Sequence, residues 1–430
     1  MQNKSHHSWR STIIFTLIVI LMAALFFSRA LLSVSMIAFV FFSFFHTGIK
    51  KQLSHFFSSP LLWGMSLLFF IPFLSGLWSE DKKEWAEILR IKLPLLLLPL
   101  AFAGPFGSNW NQLQVKQWER LGYFFILLVT AATCWCMVHY LSNATVINES
   151  YLRAKSIVTP LENDHVRFSW LVSLSILLAG WLCIVKRKES KLFSCLLIVV
   201  ALWLIVFLHI LAARTGLFSF YIMAAGVIGW LILKKQIPVI IDWRYRLIII
   251  MVVIALPFVA YKVIPTFQNR VKYFLYDKEF FEKANYLPGS TDGVRVISLK
   301  AGWKLMQEHP LTGTGFGDIL LKTKKWDGEN YPQMIEADKI LPSSEWMMYG
   351  AGCGWPGFIL FSLLMGIPFF IKTSNNLLWW LLNSTAAFSF LFDIGLEVQF
   401  GVFIYAFIIL WWWKWLQPIP ITTVERVTDG

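Results

Sequence analysis

The feature that most constrains this chain is its series of long apolar runs. Twelve of them, at about 12–28, 30–46, 61–78, 88–104, 121–142, 166–185, 192–211, 217–233, 247–264, 347–371, 377–394 and 400–416, are divided by polar breaks. A helix that crosses a bilayer needs about 20 apolar residues. Of 430 residues 57% are hydrophobic and 15% charged, where a soluble domain runs nearer a quarter charged. Mean hydropathy is +0.61. This composition excludes a soluble globular enzyme, a disordered chain and a disulfide-stapled secreted domain. It also excludes an outer-membrane barrel, whose strands alternate and give no long apolar runs. Backbone polar groups in lipid must be satisfied within each segment, so the runs predict helices. The expected fold is all-α: a polytopic helical membrane protein of about 12 transmembrane helices with one long, partly helical loop on the outer side.

The 38 Lys and Arg outnumber the 25 Asp and Glu. In a soluble protein that balance suggests nucleic acid; here it fits cationic loops that orient membrane helices, and no nucleic-acid partner is expected. Lys4, Arg10, Lys50, Lys51, Lys116, Arg120, Lys186, Arg187, Lys188, Lys191, Lys234, Lys235, Arg244, Arg246 and Lys372 all fall on alternate breaks. Placing these breaks inside puts both termini in the cytoplasm after twelve crossings. The first apolar run lacks a small-residue cleavage site and is expected to stay as a span. The division predicted is a membrane bundle over 1–264, a long outer loop over 265–346, and a second bundle with a short cytoplasmic tail over 347–430. Residues 79–87 and 143–165 share the outer side with the long loop. The five cysteines have no metal-site or redox-motif spacing and read as packing residues.

The long loop carries 11 Lys and Arg against 11 Asp and Glu, and loops of such length are usually functional. Asp292 is a plausible N-cap for a helix over about 293–308. Val296, Leu299, Trp303 and Leu305 or Met306 give that helix an apolar stripe, and His309-Pro310 closes it. Gly313-Thr314-Gly315-Phe316-Gly317 follows. Such a run either presents backbone N–H groups to an anion or makes a tight turn that packs the helix onto the bundle. It follows a helix and no strand, so it is no dinucleotide fingerprint.

Charges at the rim of a membrane bundle are costly and often functional. On the expected outer side stand Arg90 and Lys92, then Asp164, His165 and Arg167, then Arg214 in a five-residue turn, Arg295 on the loop helix, and Glu397 and Gln399 between the last two runs. Each has an ordinary reading: Lys92 snorkels, Arg90 pairs with Glu87, His165 is a satisfied loop histidine, Glu397 pairs with an arginine. Arg214 is harder to dismiss, because its short turn and apolar flanks hold its charge at the bilayer edge. Together such cations suit a diphosphate, which arginine's planar fork of donors matches.

The order Arg295, Trp303, Pro310, Leu311, Gly313, Gly315, Gly317 resembles the signature Arg…Trp…Pro-Leu-x-Gly-x-Gly-x-Gly of the O-antigen ligase and polymerase superfamily, bacterial inner-membrane glycan transferases. Arg214 in Ala-Arg-Thr-Gly resembles that family's arginine after a span. Asp164-His165-Val166-Arg167-Phe168-Ser169 resembles the opening of its middle span, and Leu396-Glu397-Val398-Gln399-Phe400-Gly401 a motif of many Bacteroidota members. The resemblance implies transfer of a glycan from an undecaprenyl diphosphate carrier to an acceptor sugar, on lipid A-core or on another carrier-linked unit, at the periplasmic face. It implies a metal-independent, cofactor-free, inverting glycosyltransferase of surface polysaccharide biosynthesis, including lipopolysaccharide, with Arg214 and Arg295 on the diphosphate. Arg90, Lys92, Arg167, Glu397, Gln399, Gly313 and Gly315 are candidate substrate contacts at the same rim.

One departure stands out. The family keeps a His-Asn pair just before the next span, where this chain has Ser343-Ser344-Glu345. A serine is no general base at neutral pH. Glu345 is a candidate base, since partial burial at the mouth of a span would raise its pKa toward neutral; its ordinary reading is a helix-start charge favoured by the dipole. His165 is the rival. Two other readings are a lipid-linked glycan flippase or transporter, and a non-catalytic membrane protein of polysaccharide assembly. A transporter would place ionisable residues near mid-span. His139 and His209 lie toward span ends, Asp393 lies near the close of its span, and no internal repeat is visible.

Overall fold

A computed structural model describes residues 9–106, 115–187, 189–233, 243–282 and 286–417. Lys4, Lys188, Lys234, Lys235 and the tail beyond 417 lie outside the described residues. Within them the chain is helical and forms no strand.

The helices in order are α1(Trp9–Phe27), α2(Arg29–Phe44), α3(Ile49–Ser58), α4(Pro60–Ser75), α5(Lys82–Lys92), α6(Pro94–Phe102), α7(Val115–Ser142), α8(Ala144–Ser150), α9(Pro160–Asn163), α10(His165–Lys186), α11(Lys191–Leu211), α12(Arg214–Leu233), α13(Trp243–Val263), α14(Pro265–Glu282), α15(Asp292–Glu308), α16(Ile319–Asn330), α17(Glu345–Gly366), α18(Asn376–Phe392) and α19(Gln399–Trp415).

The count of about twelve spans does not hold. Among the described residues seven helices are long and apolar enough to cross a membrane, or eight if the bent pair α2–α3 makes one span. Five of the twelve runs fall short, for identifiable reasons. The run at 30–46 turns through 108° into α3, whose basic Lys50 and Lys51 are exposed. The run at 61–78 yields α4, 16 residues begun by Pro60, about 24 Å of rise against a ~30 Å hydrocarbon core. The run at 88–104 breaks at Leu93, because Pro94 starts the nine-residue α6 and cannot donate back into α5. The last two runs form α18 and α19, 17 residues each.

Hydropathy misled here because apolar residues serve two environments. All residues of α19 from Phe400 to Lys414 are buried in protein, as expected of a helix apolar on every side. It packs on α6, α5 and α18. By contrast α13 has only 6% of its apolar window buried and keeps its surface for lipid. Without twelve crossings, alternation of basic breaks no longer fixes which side each loop faces. Arg10, assigned to an inner break, is buried and donates to Pro105 O (2.7 Å) and Ser43 O (3.1 Å). The cysteines are all free, with Cys134 and Cys195 exposed.

The long helices α10 and α12 approach closely. Gly216 sits against Ser169, and Ser173 Oγ donates to Gly216 O (2.8 Å). A Cβ on Gly216 would meet Ser169 Cβ at 2.5 Å and Ser169 O at 2.7 Å. Small residues allow this close approach, the main source of attraction between helices in lipid. Gly216→Ala is therefore expected to destabilise the protein by about 1–3 kcal/mol through overpacking. Gly180, also helical but with nothing within 4 Å of an added Cβ, should accept alanine with a gain of about 1 kcal/mol or less. Thermal unfolding in detergent reads both; equal effects would contradict the packing account.

Candidate active site

Five segments distant in sequence meet at one end of the bundle: the α4–α5 turn, the start of α10, the α11–α12 turn, the stretch from α14 to the start of α17, and the α18–α19 turn. Two substructures form there, a buried lock and a more open cluster of arginines.

The lock centres on Lys92. Its ammonium is fully buried, 2.6 Å from Glu397 Oε1, and donates to Leu396 O at 2.9 Å. The rings of Phe316 and Tyr349 lie 5.6 and 5.4 Å away on its flanks. Burial pushes the Glu397 carboxyl above the usual carboxylate range, against the pull of Lys92. Glu345 is buried beside them. Its Oε1 accepts the Leu396 N–H (2.5 Å), and Oε2 has no hydrogen-bond partner among the described residues. Lys92 thus does not snorkel to the surface, and Lys92, Glu397 and Glu345 are all closed to a substrate in this arrangement.

The glycine run closes the lock. Gly313 and Gly315 have φ of +65° and +84°, a region open chiefly to glycine. A Cβ on Gly313 would meet Cys353 N at 2.4 Å, and one on Gly317 would meet Asp81 O at 2.3 Å. Thr314 and Gly315 N–H donate to Ala351 O (2.8 Å) and Gly352 O (3.0 Å), carbonyls at the kink of α17 around Cys353 and Gly354. Phe316 and Gly317 N–H donate to Ser75 Oγ and Ser79 Oγ. Gly313 and Asp318 N–H bond within the loop. Every N–H from 313 to 318 therefore has a protein acceptor, so the run is the tight packing turn and not an anion cradle. Asp318 adds a clamp, accepting Glu80 N–H (2.7 Å) and Asp81 N–H (2.9 Å).

The open cluster comprises arginines from four helices. Arg167 on α10 lies 2.8 Å from Asp393 and 3.2 Å from Asp164. Arg214, at the start of α12, pairs with both carboxylate oxygens of Asp292. Arg295 on α15 donates to Phe392 O (3.2 Å). Burial lowers its pKa, with Asp393 opposing. Burial likewise raises the Asp393 carboxyl against Arg167 and Arg295. Arg270 on α14, which no sequence motif marked, completes the set: it lies within electrostatic reach of Arg214 and Asp292. His165 stands at the same end, within reach of Arg270 and Arg295.

The remaining candidates lie apart. Arg90 is exposed and paired with Glu87 one turn away. Gln399 Nε2 donates to Ser33 Oγ (3.2 Å). Asp292 is the first residue of α15 and not its N-cap; Ser290 Oγ takes the Gly293 N–H instead (2.9 Å), which frees the Asp292 carboxylate for Arg214. Ser343 and Ser344 are buried: Ser298 Oγ donates to Ser343 Oγ (3.0 Å) and Ser344 Oγ donates to Phe390 O (3.3 Å). They tie the start of α17 to α15 and α18. Among the described residues no group of three or more His, Cys, Asp and Glu is placed to hold a metal ion.

Residues 200–362 match the family model described as O-antigen ligase. The match runs from within α11 into α17 and includes Arg214, Arg270, Arg295 and the glycine run, while Arg167, Asp393 and the α18–α19 turn lie outside it. It supports placing this multi-pass membrane protein with the O-antigen ligase and polymerase superfamily. No curated protein matches the chain significantly.

Breaking a buried pair by removing one partner costs about 3–5 kcal/mol, whereas replacing both with apolar groups is far milder. Lys92→Met should therefore strongly destabilise the protein, and Lys92→Met with Glu397→Leu should recover much of the loss. Unfolding in detergent with single and double variants checks this; additive losses would show that the pair is not coupled.

Proposed function

We propose that the chain transfers a glycan from an undecaprenyl diphosphate carrier to an acceptor sugar at the periplasmic face of a bacterial inner membrane, as an O-antigen ligase or polymerase. The observation that carries this reading is the convergence of Arg167, Arg214, Arg270 and Arg295 at one end of an apolar bundle, largely within the segment that matches the ligase model.

The chemistry follows from charge. The acceptor hydroxyl oxygen attacks the anomeric carbon opposite the sugar–phosphate bond. That bond breaks, its electron pair leaves on the carrier diphosphate, and the anomeric centre inverts. Preorganised cations stabilise the developing charge most where water is scarce. Arg295 has no carboxylate in ion-pair contact among the described residues, so its fork is available. Arg214 is held by Asp292, which fixes its orientation and leaves other donors of the guanidinium open. The acceptor proton goes to a base. Of the two side chains the sequence offers, His165 stands at this cluster, while Glu345 is sealed in the lock.

Arg214→Ala and Arg295→Ala should each lower transfer by about 10²-fold or more, since one such electrostatic contact is worth about 2.7–4 kcal/mol. Lysine at either position should restore activity only in part, because the bidentate fork is lost. Complementation of a deletion strain with expression-matched variants checks this. Loss of all capped core marks a lipid A-core acceptor, and loss of only the ladder beyond one unit marks a carrier-linked one. Wild-type transfer by both alanine variants would refute the proposed site.

The base assignment separates on a second pair. Glu345→Gln keeps an acceptor for the Leu396 N–H and is expected to retain turnover within about an order of magnitude. His165→Gln should lose about 10²–10⁴-fold, the usual contribution of a general base. The reverse pattern would return the role to Glu345.

A further inference from the structure

The end of the bundle opposite the arginine cluster carries a second group of cations, which the proposed transfer does not use. Arg10 stands in the first turn of α1, whose far end brings Arg29 to Glu162 on α9. Lys414 stands in the last turn of α19, which begins at Gln399 beside the lock, about 22 Å away along the axis. Arg10 is 8% exposed and Lys414 5%, and both meet the segment that ends α6. Arg10 donates to Pro105 O (2.7 Å). The Lys414 ammonium lies 5.4 Å from the centre of the neighbouring Phe106 ring, and Trp118 packs on the same ring. His55 Nδ1 bonds Ala103 O at 2.8 Å. Its ring stacks on Trp413, within electrostatic reach of Lys414.

The donors gathered here lack acceptors. Among the described residues Arg10 Nε and Trp118 Nε1 are buried without a hydrogen-bond partner. The Lys414 ammonium has the Phe106 and Trp413 rings beside it and, among the described residues, no carboxylate. The described carboxylates at this end, Glu119 and Glu189, both pair with Lys186. An unpaired buried ion costs several kcal/mol, and the exposed Lys50, Lys51 and Lys116 make the local field more positive still. Such a field draws an anion. Beside the cations α3 supplies apolar surface. It leaves α2 at 108° and turns Gln52 and Phe56 into the protein. Ile49, Leu53 and Phe57 recur at every fourth position, on one face of the helix, and all three are exposed, Phe57 by 70%. A helix with such a stripe next to lysines lies in the plane of a membrane interface.

We propose that this end binds an anionic phospholipid, with its phosphate between Lys414 and Arg10 and its acyl chains along Ile49, Leu53 and Phe57 of α3. The occupant is a lipid and not a soluble phosphate, because one helix serves both parts. His55 of α3 reaches toward Lys414, while Leu53 and Phe57 lie open on another face. Basic pockets between membrane helices are a recurrent site for anionic headgroups. The site also bears on the lock. α6 follows Lys92 after Leu93, α19 follows Glu397 after Val398, and the two helices pack on each other. An anion at their far ends offsets a buried charge between the same two segments whose near ends hold the Lys92–Glu397 pair. None of this depends on the glycan transfer proposed above.

The test measures lipid binding by the full chain in a neutral detergent, read by native mass spectrometry and by thermal unfolding. The probes are dioleoyl phosphatidylglycerol, dioleoyl phosphatidylcholine and inorganic phosphate. The wild type should bind phosphatidylglycerol about tenfold or more tightly than phosphatidylcholine, as for a hydrogen bond to a charged group, and should melt at a higher temperature with it. Lys414→Met keeps the length of the side chain and removes its charge. It should bring the affinity ratio of the two lipids toward one and raise the melting temperature of the lipid-free protein, since an unpaired buried ion is gone. Arg10→Gln should lower the same ratio, and serves alone if the first variant folds poorly. Leu53→Ser with Phe57→Ser should weaken both lipids and leave the ratio unchanged. A ratio that survives both charge variants overturns the proposal, as does a wild type that binds the two lipids alike. Protection by inorganic phosphate at the concentration at which phosphatidylglycerol protects would mean a soluble-anion site, and also overturns it. Undiminished lipid binding by the double serine variant removes the acyl chains from α3 and overturns it as stated.

Discussion

The buried contact between Lys92 and Glu397 is the interaction on which the arrangement of this end of the molecule depends. Neither charge would survive alone in such a place, because an unpaired buried ion costs several kcal/mol. The pair holds the end of α5 against the α18–α19 turn. That turn carries Asp393, which orients Arg167, and Leu396, whose N–H engages Glu345 at the start of α17. Phe316 and Tyr349 complete the wall around the ammonium, so the glycine loop and α17 share the same centre. The arginine cluster is positioned from behind by groups that never need to meet a ligand.

Backbone contacts then set the loop. The kink of α17 at Cys353 and Gly354 releases carbonyls from the helix ladder, and Thr314 and Gly315 N–H take up the freed Ala351 and Gly352 oxygens. The short edge so formed brings α15 onto the bundle and, with it, Arg295 and Asp292. Glycines occur where neighbouring backbone comes within 2.4 Å of a would-be Cβ at Gly313 and Gly317, which accounts for their alternate spacing by sterics alone.

Much of this was legible in the residues. The apolar runs predict helices, and the loop helix over about 293–308 appears as Asp292–Glu308. The short Ala-Arg-Thr-Gly turn marks Arg214 as a constrained charge. What sequence could not convey is which apolar surface faces lipid and which faces protein. Phe400–Lys414 reads as a span but is core. The hydropathy of the run at 88–104 hides the break at Pro94, since a window average is blind to a single missing N–H. The sign and spacing of Lys92 and Glu397 suggested rim contacts; only the fold shows that 305 residues of separation close into one buried pair. Arg270 escaped notice because it stands in no motif. Its significance comes from Arg214, which is remote in sequence.

That separation has a consequence in time. Chains are made at about 5–20 residues per second, so Glu397 follows Lys92 out of the ribosome by on the order of 15–60 s. For that interval α5 carries an ammonium whose final surroundings do not exist. The nascent bundle must keep it at the interface, in water or among lipid phosphates, until the α18–α19 turn arrives and draws it in. The C-terminal helices are therefore the closing step of biogenesis: every earlier segment is in place before the charge is withdrawn from solvent, and a chain released before Glu397 would present quality-control proteases with a membrane protein whose last seam has never shut.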